Sequence, residues 1–310
     1  MSRCLYLAGK AVRNPRKAAQ ALGDRFCAAT RVDDRFHAAV ISYATRAAIA
    51  FDRTLPVEAQ VQIRSSLSPV VNLDYTRARL SMSADTPMVL MRANACAKEP
   101  KTVAWIEDSM GEGDVLYDIG ANVGAYSLVA GAVSHGAGTV YAFEPSFSTF
   151  AQLCKNVLLN GMQDVIRPFM IALGRTTEFA VLNYSTIDAG AALHALGRPI
   201  DQDGVAFAPA YRQTIPAFSI DDLVARCGLR APTLVKLDVD GTEIDILEGA
   251  MTTLTNGQIR SLVIEVVDAE DKPRRIERLL ETAGYELVAQ DNRAGNVANY
   301  TFMRASWPDA

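Results

Sequence analysis

An acid and two glycines stand where an apolar run ends in VLYDIGANVGAYSL, residues 115–128. Gly120 and Gly124 let the backbone turn tightly and approach a ligand without a Cβ in the way. A dinucleotide fingerprint needs G-x-G-x-x-G, but the second glycine position holds Asn122, whose alternative role is a loop residue that bonds backbone. A plain turn would explain the glycines but not Asp118, which repels phosphate and suits a cationic group such as an ammonium.

A second acid, Glu144, ends the next apolar run in YAFEP, residues 141–145. A carboxylate there can accept hydrogen bonds from both hydroxyls of a ribose; its alternative role is to interact with the dipole of the following helix. Ribose plus a cationic amino acid without phosphate describes S-adenosylmethionine. Ala172 follows the third strand, where an adenine ring could stack, or it packs in the core. The predicted cofactor-binding residues are Asp118, Gly120, Asn122, Gly124, Glu144 and Ala172.

Short apolar runs alternate with helical periods from Lys98 onward, which predicts β-α-β units and a parallel sheet covered on both faces. The predicted strands are 115–118, 139–144, 165–173, 178–184, 233–239, 261–267, 285–290 and 299–304. The predicted helices are 98–110, 123–132, 146–160, one from about 242, and 271–283. The last two strands have a short connection, which favours an antiparallel hairpin at one edge of the sheet.

A long loop, residues 185–213, interrupts this alternation and holds His194. A loop of this length inside a compact domain is usually a lid or disordered, so a lid-like insertion is predicted. Residues 98–310 are the predicted main domain, and residues 1–97 an N-terminal helical or mixed extension. Within this extension, residues 1–55 read as helical and residues 57–95 as short strands.

Composition limits the function classes and the compartment. The formal net charge is −4, from 31 Lys and Arg against 35 Asp and Glu, which argues against a nucleic-acid partner. Residues 1–60 carry an excess of Lys and Arg, so peripheral contact with anionic lipid is one interpretation and a solvated helical face is the other.

The five cysteines are scattered without CxxC spacing, which indicates neither a disulfide framework nor a zinc site and fits a reducing cytoplasm. The apolar stretch 36–51 is too short to span a bilayer and is interpreted as a core or interfacial helix.

An ordered set of motifs resembles the FkbM-type family of S-adenosylmethionine-dependent methyltransferases. The matching stretches are KEP…WI (98–106), DIGANVGAYSL (118–128), YAFEPS (141–146), NVLLNG (156–161), IALG (171–174), FSIDDL (218–223), VKLDVDGTEIDILEGA (235–250) and VIEV (263–266). One departure is Asp240, because the family more often has a glutamate at this position. The resemblance covers about two thirds of the chain, and residues 1–95 inherit nothing from it.

The resemblance implies a doubly wound, mostly parallel seven-stranded Rossmann-like α/β sheet and methyl transfer, typically to a hydroxyl oxygen. Acceptors in the family include sugars of surface glycans, glycolipids and secondary metabolites. By the same resemblance, Asp118, Gly120, Asn122 and Gly124 line the methionine and ribose side of the donor, and Glu144 holds the ribose.

An alcohol acceptor needs its proton removed by a positioned base as the new bond forms. Lys236 and Asp238 share one face of a strand, so Asp238 is the first candidate for the general base or for orienting the acceptor. Lys236 would stabilise a developing alkoxide or tune Asp238. Glu265 ends the next strand and is a second acid in reach, and His194 has the ordinary pKa of a base.

Other interpretations of these residues remain open. The acids and Lys236 could form an ion-pair network that only orders the strand end, and His194 could be a solvated loop residue. The cluster Asp238, Asp240, Glu243 and Glu265 could hold Mg²⁺, but no spacing demands a metal, and none is predicted. The rival functions are a donor-binding scaffold without catalysis that recruits a glycan-assembly complex, and a nicotinamide-dependent oxidoreductase.

Overall fold

The structure is a computed structural model that describes residues 42–43, 45–46, 48–51, 54–66, 68–201, 204–267, 271–293 and 296–305. The chain divides into two compact units between Pro69 and Val70. The first unit contains helix α1 (Val57–Ser66). The second unit begins with β1 (Val70–Asn72), β2 (Ser81–Ser83), α2 (Pro87–Arg92), α3 (Ala95–Lys98) and α4 (Pro100–Ser109).

Strands and helices alternate along much of the chain after α4, as predicted. The strands are β3 (Val115–Ile119), β4 (Thr139–Phe143), β5 (Ile166–Phe169), β6 (Ala172–Leu173), β7 (Glu178–Tyr184), β8 (Ala195–Leu196), β9 (Tyr211–Phe218), β10 (Leu234–Leu237), β11 (Ser261–Val267), β12 (Tyr285–Asn292) and β13 (Val297–Arg304). The helices are α5 (Ala125–Val133), α6 (Phe147–Leu159), α7 (Ile220–Ala225), α8 (Glu243–Glu248), α9 (Met251–Thr255) and α10 (Lys272–Thr282). Strands β5 to β9 follow one another.

The central sheet has seven strands in the order β12–β13–β11–β10–β3–β4–β5. The five strands from β11 to β5 are parallel, and β13 pairs antiparallel with both β11 and β12. The predicted doubly wound, mostly parallel sheet with an edge hairpin is therefore confirmed. Because β10 and β3 are neighbours although far apart in sequence, the order reverses between them, and ligands bind at such switch points.

Side chains alternate between the two faces of the sheet, as the period of a strand requires. In β3, Val115, Tyr117 and Ile119 enter one hydrophobic cluster, while Leu116 enters the other. All five residues of β3 are buried. The middle of the sheet is therefore covered on both faces, whereas the edge strand β12 is largely exposed.

The second unit begins earlier than the predicted domain boundary at Lys98, because β2 packs on α6. The side chain of Asn156 accepts a hydrogen bond from Ser83 N–H at 2.8 Å, and Gln152 Nε2 donates to Ser83 O at 2.7 Å. Residues 70–97 are thus attached to the sheet, while the functional division of the chain at Lys98 stays a prediction.

The prediction of short strands over 57–95 was wrong for most of this segment. Helices α1, α2 and α3 occupy much of it. Thr86 caps α2 by accepting a hydrogen bond from Val89 N–H, and Pro87 stands in the first turn, where its missing N–H costs nothing. At α2 the cap and the proline therefore favour a helix despite the alternating apolar pattern of the sequence.

The single strand predicted over 165–173 is two strands in two sheets. β5 ends at Phe169, whose carbonyl accepts a hydrogen bond from Glu144 N–H, and β6 then joins β9 in a four-stranded sheet of order β6–β9–β7–β8. Period-two alternation cannot show where a strand leaves its sheet, because the bend preserves the pattern. Part of the long loop 185–213 belongs to this second sheet as β8 and the start of β9.

Several predictions concern the N-terminal segment, of which the structure describes only a part. Most of the basic segment 1–60, Cys4, Cys27 and half of the stretch 36–51 lie outside the described residues. The described residues of that stretch are helical and exposed. Within the described ranges, no helix combines the length and the apolar character needed to cross a membrane.

Replacing Asn156 tests how strongly α6 holds β2 and the loop before α5. Asn156→Ala leaves Ser83 N–H and Val123 C=O without partners, so we expect the free energy of unfolding to fall by about 2–4 kcal/mol. The control is Leu158→Ala on the same helix, where the side chain is 67% exposed and the expected change is within about 0.5 kcal/mol. Urea denaturation measures both, and equal losses would contradict the assignment.

Candidate functional site

The loop between β3 and α5, residues 120–124 and called here the glycine loop, closely approaches the end of β10. Gly120 has a φ of +78°, and a Cβ added to it would lie 1.9 Å from the carbonyl oxygen of Asp238. Asn122 also has a positive φ, and its side-chain oxygen accepts a hydrogen bond from Val123 N–H at 2.9 Å. The third predicted loop residue, Gly124, begins α5 with a φ of +87°. Only a glycine at 120 permits this contact between the loop and β10.

Glu144 joins the end of β4 to the glycine loop. Its Oε2 accepts a hydrogen bond from Asn122 N–H at 3.0 Å, and its Oε1 accepts one from Ser146 N–H at 2.8 Å. Burial raises the pKa of Glu144 to about 7 despite these two bonds, and the charge of Asp240 adds to the increase. An ionised carboxylate has about four lone-pair sites, so capacity remains for the hydroxyls of a diol.

A buried ammonium lies between the two halves of the site. Lys236 is 2% exposed, and its Nζ is 3.0 Å from Asp238 Oδ2 and 3.6 Å from Asp118 Oδ1. Asp118 faces Lys236 in the β3–β10 ladder and also accepts a hydrogen bond from Ser127 Oγ at 2.5 Å. Burial alone would lower the pKa of Lys236, but the two aspartates raise it above its ordinary value. Lys236 is therefore a cation.

Three carboxylates from distant segments line a narrow recess, called here the acid recess: Glu99 at the start of α4, Asp238 after β10, and Glu265 in β11. Each contributes an oxygen within 4.8 Å of the other two. Asn299 of β13 and Lys236 also line it. The structure thus brings together the three predicted residues Lys236, Asp238 and Glu265.

Sequence reasoning missed Glu99, Arg293 and Asn299. Arg293 Nη1 is 2.8 Å from Glu99 Oε1 and also contacts Glu265 Oε2. Asn299 Nδ2 donates to Glu99 Oε2 at 3.3 Å and to Thr102 Oγ1 at 3.1 Å. Glu99 belongs to the KEP stretch that carried the family resemblance, which was a usable signal. Asn299 stands 200 residues after Glu99, and no spacing rule connects them.

The pKa values of two acids in the recess shift in opposite directions. Burial alone would raise the pKa of Asp238, but the charges of Lys236 and Lys98 outweigh it and hold the pKa at about 2. Burial raises the pKa of Glu265 to about 8, and the charge of Asp238 adds to this increase against the opposing charge of Arg293. One acid therefore stays ionised, while the other can gain and lose a proton near neutral pH.

Two of the four acids that suggested a magnesium site, Asp240 and Glu243, have other partners. Glu243 pairs with Lys272 at 3.0 Å, and Asp240 accepts a hydrogen bond from the long loop. Within the described part of the chain, the carboxylates close enough to share an ion are those of the acid recess. Lys236 and Arg293 already neutralise charge there, which favours proton handling over metal binding.

Part of the long loop lies against the glycine loop and the end of β10. Leu193 N–H donates a hydrogen bond to Asp240 Oδ2 at 2.6 Å, and Asn122 Nδ2 donates to Ala191 O at 3.1 Å. The loop therefore reaches both predicted halves of the site, and its action as a lid stays a prediction.

The two remaining predicted residues lie beside the second sheet. His194 is partly buried, with its ring 4.9 Å from that of Tyr184, and its Nδ1 accepts a hydrogen bond from Ser185 N–H. Burial lowers the pKa of His194 to about 4, so it is neutral near pH 7. Ala172 is buried in β6 opposite Ala217. His194 is thus not a freely solvated loop residue, and the roles of both residues in catalysis and donor binding stay predictions.

The sequence profile of the Methyltransferase FkbM domain matches residues 118–287, which is more than half of the chain. The chain belongs to the FkbM methyltransferase family. The matched range includes the glycine loop, Glu144, Lys236, Asp238 and Glu265, and the family expected from the sequence motifs is confirmed.

Two methyltransferases named for their substrates are similar to the chain. One is "Hexuronic acid methyltransferase AglP" of Haloferax volcanii, 27% identical over 172 residues, covering 56% of this chain and 63% of AglP. The other is "31-O-demethyl-FK506 methyltransferase FkbM" of Streptomyces tacrolimicus, 28% identical over 198 residues, covering 58% of this chain and 75% of that protein. The chain therefore spans less than two thirds of AglP.

A solved structure of a Methyltransferase FkbM from Methylobacillus flagellatus is also similar. It has a TM-score of 0.46 and 17% identity, and the match covers 62% of this chain and 44% of that one. At this TM-score the similarity carries no functional argument.

The contact between the glycine loop and β10 can be tested with two glycines of similar φ. Gly120→Ala places a Cβ against Asp238 O, so we expect a destabilisation above about 3 kcal/mol, well beyond the backbone strain alone. Gly113→Ala has a φ of +77° and nothing within 4 Å of the added Cβ, so we expect about 1–2 kcal/mol. Denaturant unfolding compares them, and equal losses would show that no close approach exists.

Proposed function

We propose that this FkbM-family chain transfers the methyl group of S-adenosylmethionine to a hydroxyl oxygen of a sugar, a glycolipid or polysaccharide, or a secondary metabolite. The observation that carries the proposal is the pair of acidic sites at one edge of the parallel sheet, one after β4 and the other at β10 and β11. Glu144 lies beside the glycine loop, and Asp238 and Glu265 line the acid recess. Ligands of such sheets bind at this edge. The first site suits a ribose, and the second suits an alcohol that must lose a proton.

The donor side has acceptor groups of the kind that S-adenosylmethionine would need. Glu144 retains lone pairs for the two ribose hydroxyls after binding Asn122 and Ser146. Asp118 Oδ1 is buried and accepts no hydrogen bond from the described residues, although Lys236 stands 3.6 Å away. S-adenosylmethionine, when bound, supplies a methyl group on a sulfonium centre. The residues proposed to line it are Asp118, Gly120, Asn122, Gly124, Glu144 and Ala172.

The acid recess supplies groups for the acceptor. A general base works best when its pKa lies near the operating pH, which favours Glu265 over Asp238 as the group that takes the hydroxyl proton. Asp238 remains ionised and orients the hydroxyl by accepting its hydrogen bond, which is the second of the two roles predicted for it. Lys236 stabilises negative charge that develops on the oxygen. His194 takes no part in the proposed proton transfer, because burial holds its pKa at about 4.

The acceptor class follows from chemistry and from the relatives. The part-exposed carboxylates of Asp238 and Glu265 are hydrogen-bond acceptors, which suits an acceptor molecule with donors such as hydroxyl groups. The names of AglP and FkbM describe methylation of a hexuronic acid and of 31-O-demethyl-FK506. With a formal net charge of −4, the chain has no overall electrostatic attraction to nucleic acid. We therefore propose a glycan or small-molecule hydroxyl as the acceptor.

Two substitutions separate donor binding from chemistry. Glu144→Gln removes a charge-assisted acceptor of the ribose hydroxyls, so we expect S-adenosylmethionine to bind at least about tenfold more weakly. Asp238→Asn should leave the Kd for the donor within about threefold and lower kcat about 100-fold. Titration calorimetry and a methyl-transfer assay measure the two effects, with the exposed Glu178→Gln as control. Normal turnover by Asp238→Asn would remove Asp238 from the mechanism.

The acceptor class can be found with methyl-labelled S-adenosylmethionine, purified protein and fractionated extract of the source cell. The fractions are lipid-linked glycans, free polysaccharide, small metabolites, protein and RNA. We expect label in a glycan or metabolite fraction and its loss with Glu144→Gln. Label in protein or RNA would contradict the proposal. Donor binding without label in any fraction would favour a scaffold, and binding of NADH in place of S-adenosylmethionine would favour an oxidoreductase.

A further inference from the structure

Arg293 connects two carboxylates of the acid recess through a single atom. It follows β12, and its backbone N–H donates to Val297 O at 2.8 Å, which anchors it at the turn of the edge hairpin. Its Nη1 contacts Glu99 Oε1 at 2.8 Å and Glu265 Oε2. The side chain of Arg293 is 14% exposed, so neither ion pair is extensively screened by water.

Glu99 is fixed independently of Arg293. Thr102 Oγ1 and Asn299 Nδ2 both donate to Glu99 Oε2 at 3.3 Å, and Lys98 Nζ lies 3.2 Å from Oε1. With 3% exposure, Glu99 is the most deeply buried acid of the recess. Burial and the charge of Asp238 would raise the pKa of Glu99, but the surrounding cations, led by Lys98 and Arg293, hold it below its ordinary value. Glu99 is therefore a permanent anion that does not compete for the proton.

We propose that Glu99 and Arg293 are positioning residues for Glu265: Arg293 directs this carboxylate into the recess and keeps Glu99 as its ionic partner while Glu265 holds the proton of the acceptor. The inference rests on the proposed function. In the transfer, the O–H bond of the acceptor and the S–CH₃ bond of the donor break, the O–CH₃ bond forms, and the proton moves to Glu265 before it leaves to solvent. Without Glu99, protonation of Glu265 would leave Arg293 as a largely buried, unpaired cation, which is costly.

Neutralising Arg293 and neutralising Glu99 should shift the pKa of Glu265 in opposite directions, because the two residues carry opposite charges. Glu265 also faces Asp238 from β10 and Lys98 from α3, with Lys236 beside Asp238. Removing the charge of Arg293 takes away a cation, so the pKa of Glu265 should rise. Removing the charge of Glu99 takes away an anion and leaves Arg293 to Glu265 alone, so its pKa should fall. Loosening of the structure would instead move both variants toward the ordinary value for glutamate.

The test is a carboxyl ¹³C NMR titration of the full chain labelled at the glutamate side chains, with the Glu265 signal assigned by its loss in Glu265→Gln. We expect a midpoint near pH 8 in the unmodified protein. We expect a shift of about one pH unit upward in Arg293→Gln and about one unit downward in Glu99→Gln. Arg293→Lys, which keeps the charge, should shift the midpoint less than Arg293→Gln and guards against a misfolded glutamine variant.

The matched control is the exposed ion pair between Lys101 of α4 and Asp291 of β12, at 2.7 Å. This pair joins α4 and β12, the two elements next to Glu99 and Arg293. Lys101→Gln should therefore leave the midpoint of the Glu265 titration unchanged. Shifts of both variants in one direction, or no shift, would overturn the proposal. The titration needs neither donor nor acceptor, so it can succeed where methyl transfer fails. If transfer is found, the acid limb of kcat/KM against pH should move with the midpoint in each variant.

Discussion

The buried ammonium of Lys236 is the interaction on which the site depends. A charge that is 2% exposed is tolerated only when it is paired and hydrogen-bonded, and its two carboxylate partners come from neighbouring strand ends. In the proposed function, Asp118 lines the donor and Asp238 orients the acceptor. The β3–β10 register therefore positions the two halves of the site relative to each other, and the ring of Tyr126, 4.9 Å away, covers the same cation.

The sequence predicted the parts of the molecule that depend on local patterns. The central strands follow from apolar runs of strand length, and the edge hairpin follows from a short connection. The acids Asp118, Glu144, Asp238 and Glu265 were identifiable because each lies in the last three residues of a strand or just after it, and parallel strands end at one edge. Their arrangement along that edge follows from the strand order, which only the family resemblance supplied.

Periodicity could not identify residues brought together by the folding of remote segments. Glu99 precedes the sheet, and Asn299 lies in its last strand, yet they are hydrogen-bonded because α4 lies beside the antiparallel hairpin. The second sheet was missed for a related reason. A chain that leaves one sheet at Phe169 and enters another at Ala172 keeps its alternating pattern throughout. Both failures concern pairing partners, which no short window of sequence contains.

The pairing of the long loop with the end of β10 costs backbone strain. Leu193 has a φ of +64°, a left-handed conformation that costs a residue with a side chain about 1–3 kcal/mol. This conformation persists with the Leu193 N–H in a 2.6 Å hydrogen bond to Asp240, the position where the family more often has glutamate. The hydrogen bond between Leu193 and Asp240 therefore holds the long loop at the end of β10 at a cost in backbone strain, and no local pattern in the sequence reveals this contact.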